Sequence, residues 1–107
     1  MSRGSKVIKA IADVCVVPIG VGVSVSKYVV VCEEIFRDAG LEPRLHAYGT
    51  NVEGDWDAVM QAVRQCHERI HEMGAPRVST SIRIGTRTDR DQTMQDKIDS
   101  VTSKLGD

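Results

Sequence analysis

His46, Tyr48, Thr50, Glu53 and Trp56 all fall within residues 45–56, LHAYGTNVEGDW. No other stretch of the chain concentrates as much hydrogen-bonding and stacking capacity. A carboxylate such as Glu53 can pair with a cation or accept from an amino group. A ring such as Tyr48 or Trp56 can stack on a flat heterocycle and attract a cationic one. This is binding chemistry. The plain alternative is a connecting hairpin whose polar residues serve its own backbone. On that reading Glu53 accepts from turn N–H groups, and Trp56 anchors the core at the head of an apolar helix stripe.

A second candidate is His67-Glu68-Arg69-Ile70-His71, a formal H-E-x-x-H. In zinc proteases the two histidines bind the metal and the glutamate is the general base. The apolar stripe of this helix passes through Cys66 and Ile70, which leaves His67 and His71 near the solvent boundary. His46, the only other histidine, precedes the motif and belongs to the opposite sheet face. The chain is also short for a substrate cleft, so no metal is expected. The loop 18–24, PIGVGVS, has Gly20 and Gly22, but Val25 stands where the third glycine of a G-x-G-x-x-G would fall. Ser24 and Ser26 at the following helix start could present N–H groups to an anion, although N-capping is their ordinary role. No nucleophile–base constellation is legible, and no cofactor is expected.

A chain of 107 residues is expected to form one domain spanning 1–107, with 1–6 as a flexible N-terminus. It buries roughly two-thirds of its unfolded surface, enough for one core and no large internal cavity. A sizeable ligand would sit in a surface groove or between subunits. Net charge is −1 without a basic block, which argues against nucleic acid. The longest apolar run, 14–23, contains Pro18, Gly20 and Gly22 and is far shorter than the ~20 residues of a membrane span. Cys15, Cys32 and Cys66 are odd in number, widely spaced and on apolar-periodic positions. They read as small hydrophobes in a reduced, cytoplasmic protein.

The elements that must position these groups follow from periodicity. Residues 7–17 alternate as a strand: Ile8, Ala10, Ala12, Val14 and Val16 on one face, Lys9, Ile11, Asp13, Cys15 and Val17 on the other. Asp13 interrupts a mixed face, where a carboxylate must be exposed, paired or used. A helix over 25–39 carries Tyr28, Cys32, Ile35 and Phe36 on one side and stops at Gly40. A hairpin follows, with Leu45 and Ala47 toward the helices, Arg44, His46 and Tyr48 away from them, and Gly49-Thr50-Asn51 as its turn. Val52-Glu53 returns as a short strand, and Asp55 caps a helix over 56–73. A strand over 78–84, a polar loop over 85–92 and a helix from Thr93 with an Asp96 capping box complete the chain. This order gives an α+β, ferredoxin-like βαββαβ sandwich with an added C-terminal helix. Its second sheet face, bearing Asp13, Arg44, His46, Tyr48, Ser81 and Arg83, is too apolar for plain surface and too polar for plain core.

Several motifs resemble the small thiamine-binding-protein family: ADVCVVPIG at 12–20, SKY at 26–28, Leu45-His46, Gly49-Thr50 with Glu53-Gly54, Trp56-Asp57, Val59-Met60 and TMQDK at 93–97. The similarity runs from about Val7 to Leu105, and residues 83–93 resemble its fungal-type branch. The resemblance implies a ferredoxin-like fold, a homotetramer built as a dimer of dimers, and binding of thiamine or its hydroxymethylpyrimidine part without catalysis. Carried over residue by residue, it points first to Thr50 and Glu53 as ligand contacts, then to Ser26 and His46. Asp13 and Tyr48 join them on chemical grounds, as a carboxylate for the cation or amino group and a ring for stacking. The alternative is a structural or regulatory homo-oligomer that binds an anion such as sulfate near Arg83, Arg87 or Arg90 and has no thiamine role.

Overall fold

The computed structural model describes residues 7–106. The flexible N-terminus expected over 1–6 lies outside them. Seven elements follow in the expected order: β1 (Lys9–Ile19), α1 (Ser26–Asp38), β2 (Arg44–His46), β3 (Gly49–Asp55), α2 (Trp56–Glu72), β4 (Arg77–Thr86) and α3 (Met94–Leu105). The sheet order is β2-β3-β1-β4 and every neighbouring pair is antiparallel. This is the ferredoxin-like arrangement with an added C-terminal helix.

Helices α1 and α2 cover one sheet face because their apolar stripes meet its apolar rows. Ala12 and Val14 of β1 and Val52 of β3 pack with Tyr28, Cys32 and Phe36 of α1 and with Val59, Ala62, Cys66 and Ile70 of α2. Burying each of the larger side chains stabilises the fold by about 1.5–3 kcal/mol. Leu41 closes this core after α1. Its amide donates to the Phe36 carbonyl at 3.0 Å, and its carbonyl accepts from Glu53 N–H of β3 at 3.0 Å.

Several local expectations are corrected. Gly49-Thr50-Asn51 is not the hairpin turn; the turn is Ala47-Tyr48, and β3 already begins at Gly49. The glycine is there for closeness, not for positive φ: a Cβ at Gly49 would lie 2.7 Å from the Val14 carbonyl oxygen. Leu45 pairs with Thr50 and so shares its face, yet it is 62% exposed, because three-residue β2 is an edge strand overhanging the helix layer. Ala47, in the turn, is exposed rather than directed into the core. Val25, not Ser24 or Ser26, occupies the N-cap position of α1, without a side-chain bond. Asp55 does hold the N-cap position of α2 but caps nothing with its side chain; Trp56 N–H donates instead to the Ile8 carbonyl at 2.7 Å. Trp56 is 36% exposed and outside the buried core, so it is no deep anchor.

Helix α3 starts as its sequence dictates. Thr93 Oγ1 accepts from Asp96 N–H, and the Asp96 carboxylate accepts from Thr93 N–H, each at 3.0 Å. It lies across the sheet face opposite α1 and α2. Only Met94 of α3 is buried; Ile98, Val101 and Leu105 remain exposed.

Candidate ligand site

The open sheet face is built by alternation. In β1 the odd-numbered residues face away from the helices, and register carries this to the neighbouring strands. One row crosses all four strands: Arg44 of β2 opposite Asn51 of β3, Asn51 opposite Asp13 of β1, and Asp13 opposite Arg83 of β4. The next row sets Glu53 opposite Ile11 and Ile11 opposite Gly85.

Asp13 is the hub. Its Oδ1 lies 2.6 Å from His46 Nε2 and accepts from Asn51 Nδ2 at 3.4 Å. Tyr48 N–H donates to His46 Nδ1 at 3.2 Å. An acceptor at Nδ1 has no proton there, so in this arrangement Nε2 carries the proton and donates to Asp13. Histidine and carboxylate are both partly exposed, at 36% and 45% of their side chains, and so remain reachable from solvent.

Above this row runs an open groove of about 940 Å³ between the sheet face and residues 83–98. Asp13, His46, Asn51 and Arg44 line its floor; Arg87, Arg90, Met94, Lys97 and Ile98 line its far wall. Arg44 Nη1 donates to Gln95 Oε1 of α3 at 2.9 Å across it. The loop entering α3 is braced by Arg87, whose guanidinium donates to both carboxylate oxygens of Asp89 and, at 3.0 Å, to Gln92 Oε1. That ion pair holds the Asp89 carboxyl below the usual carboxylate range and raises the Arg87 guanidinium.

The expected site residues divide. Asp13 and His46 come together, with Asn51 of β3 as a third partner where a turn residue is expected. Tyr48 stands at the hairpin tip, 86% exposed, with its amide fixing the His46 ring. Thr50 faces the helices, is 4% exposed and donates to Glu33 of α1. Glu53 is on the open face but buried, and its Oε1 accepts from Met94 N–H at 2.7 Å, tying α3 to β3. Ser26 is exposed at the start of α1 and does not line the groove. Turn signals at Gly49 and Asn51 hide the early start of β3, and with it the place of Asn51 on the open face. Begun at Gly49, strand alternation puts Asn51 and Glu53 on the face of Asp13.

The H-E-x-x-H histidines serve packing. His67 Nε2 lies 2.6 Å from Thr80 Oγ1 of β4, and His71 Nδ1 donates to the Ala75 carbonyl at 2.9 Å.

The sequence pattern of the family described as thiamine-binding protein matches residues 12–102. A UPF0045 protein of Synechocystis is 55% identical over 96% of this chain and 85% of its own length. Another, from the fungus Eremothecium gossypii, is 47% identical over 91% of this chain and 93% of its own, in keeping with the fungal-type branch. The crystal structure of a hypothetical protein from Methanocaldococcus jannaschii superposes with a TM-score of 0.82 at 34% identity, covering 88% of this chain and 96% of that one. With the match spanning the sheet, the groove and most of α3, the chain belongs to the thiamine-binding protein family.

Proposed function

We propose that this protein binds a small molecule, thiamine or its hydroxymethylpyrimidine moiety, in the open-face groove without catalysing its conversion. The observation that carries the reading is the Asp13–His46–Asn51 cluster on the groove floor. An aminopyrimidine needs an acceptor for its exocyclic amine and a donor for a ring nitrogen. Asp13 supplies the first through Oδ2, since His46 and Asn51 both bond to Oδ1, and the second Nδ2 hydrogen of Asn51 supplies the donor. Ile11, Met94 and Ile98 offer apolar contact to the ring faces. Tyr48 does not line the groove; its amide orients the His46 ring. Thr50, bonded to Glu33 on the helix side, and Glu53, bonded to the α3 amide on the open face, hold the elements that frame the site rather than touch the ligand.

The same reading includes a cytoplasmic homotetramer. Supporting it are the exposed Ile98, Val101 and Leu105 of α3, an apolar stripe suited to a neighbouring subunit. Among the described residues no helix is long and apolar enough to cross a membrane. The second reading, an anion site without a thiamine role, draws on Arg83, Arg87 and Arg90 along the groove.

Isothermal titration with thiamine and hydroxymethylpyrimidine, for the wild type and Asp13→Asn, tests the first reading, with light scattering for assembly. Saturable binding that Asp13→Asn weakens by about tenfold or more is expected. Binding of sulfate alone, with neither pyrimidine bound, would replace it by the second.

A further inference from the structure

The groove's charge conflicts with one of its proposed ligands. Thiamine's thiazolium ring is a permanent cation. The groove is lined by Lys9, Arg44, Arg83, Arg87, Arg90 and Lys97 against the two carboxylates Asp13 and Asp91. Of the cations only Arg87 is in an ion pair among the described residues, with Asp89. Asp13 Oδ1 is engaged by His46 and Asn51, and the proposed function gives its other oxygen to the pyrimidine amine. An unmodified thiazolium would therefore enter a field of its own sign.

We propose that the groove selects the phosphorylated form of its pyrimidine ligand, with the phosphate held by Arg83, Arg90 and Lys97. The inference rests on the proposed function and deepens it. Placement supports the division of labour. Asp13 and Arg83 are directly paired across β1 and β4, so the pyrimidine partner and the first phosphate partner stand about 5 Å apart at their Cβ atoms. Arg90 of the loop after β4 and Lys97 of α3 line the same groove as Arg83, the chain crossing there from the end of β4 to Glu53 of β3. On the other side of Asp13 lie Asn51 and His46, which suit a heterocycle. A phosphate monoester brings about −1.5 to −2 charges near neutral pH, reversing the sign of a thiazolium ligand or charging a neutral pyrimidine. The N-terminus of α3 is not the phosphate holder. The amides of Thr93, Met94 and Asp96 are already taken by Glu53 and by the Thr93–Asp96 capping box. Recognition falls to the guanidinium and ammonium groups, which match phosphate oxygens in charge and geometry.

The test is isothermal titration with hydroxymethylpyrimidine, its phosphate ester, thiamine, thiamine diphosphate and inorganic pyrophosphate, each at low and high salt. The proteins are the wild type, Asp13→Asn and the triple variant Arg83→Gln, Arg90→Gln, Lys97→Gln, with circular dichroism confirming the fold. The phosphorylated pyrimidines are expected to bind about tenfold or more tighter than their parents, with salt narrowing the gap. The triple variant should bring them down to the parents' affinity, whereas Asp13→Asn should weaken phosphorylated and unphosphorylated forms alike. Equal or weaker binding of the phosphorylated forms would overturn the proposal and leave the pyrimidine reading intact. Pyrophosphate binding with no pyrimidine bound would overturn both.

Discussion

Thr50 and Glu53 sit three positions apart on β3 and face opposite sides of the sheet. Thr50 points into the helix layer and donates to Glu33, while Glu53 points to the open face and holds the first amide of α3. A single ligand cannot touch both. The segment that stands out in sequence is thus a brace joining the two layers on either side of the sheet, while Asp13, His46 and Asn51 cluster on the groove floor.

The two residues are expected to fail differently. Thr50→Val keeps the shape but leaves the Glu33 carboxylate without its donor, at a cost of about 1–3 kcal/mol to global stability in urea unfolding. Glu53→Ala frees the α3 amide, costing about 1–2 kcal/mol locally. Because α3 buries only Met94, hydrogen exchange should accelerate at 94–105 and stay slow in β1 and α2. Faster exchange across the whole protein in Glu53→Ala would contradict a local role.

Gly49→Ala tests the hairpin. The added Cβ would meet backbone at 2.7 Å, and backbone yields poorly, so a loss of about 1–3 kcal/mol is expected. Gly49 pairs with His46, so the histidine should also shift from Asp13. The readout is the His46 ring signal in NMR, against Gly85→Ala, whose Cβ would meet nothing within 4 Å.

The Arg87–Asp89 pair gives a direction for pH. A carboxyl held below its ordinary value contributes order above that ordinary value and loses it as pH falls through the lowered one. Backbone relaxation of residues 87–92 should therefore show more motion in acid than at neutral pH, and Asp89→Asn should show that motion already at neutral pH. An acid-insensitive loop would mean that the pair does not brace it.

Thiol chemistry separates the cysteines. Cys32 and Cys66 are buried, whereas Cys15 is partly accessible on the open face. The hydrogen bond between Cys32 and Cys66 holds the Cys32 thiol below its usual value and, with burial, pushes Cys66 far up. Iodoacetamide is expected to modify Cys15 alone in the folded protein and all three in urea, read by mass spectrometry. Modification of Cys66 at the rate of Cys15 would contradict the packing.

Regular repetition made most of the fold legible. The alternation of β1, the stripes of α1 and α2 and the capping box of α3 each repeat a local rule over enough residues to dominate. The hairpin is less legible because glycine and asparagine signal turns in any local window, whereas Gly49 answers to the Val14 carbonyl, a contact across strands. The site was half legible for the same reason. Asp13 stood out as a charge within an apolar strand and His46 as a neighbour of the hairpin. Their pairing, the part of Asn51 and the wall supplied by α3 depend on register and on a helix returning over the sheet, which no local window contains.

Asp13 also polices the folding of the strand that carries it. β1 is an inner strand, paired with β3 and β4, and both of its faces carry apolar residues, so hydrophobicity alone specifies its register weakly. A slip by one position would turn Asp13 from the open face into the layer under Phe36 and Ile70, where a carboxylate has no partner. The charge that pairs with His46 in the native register penalises that competing one.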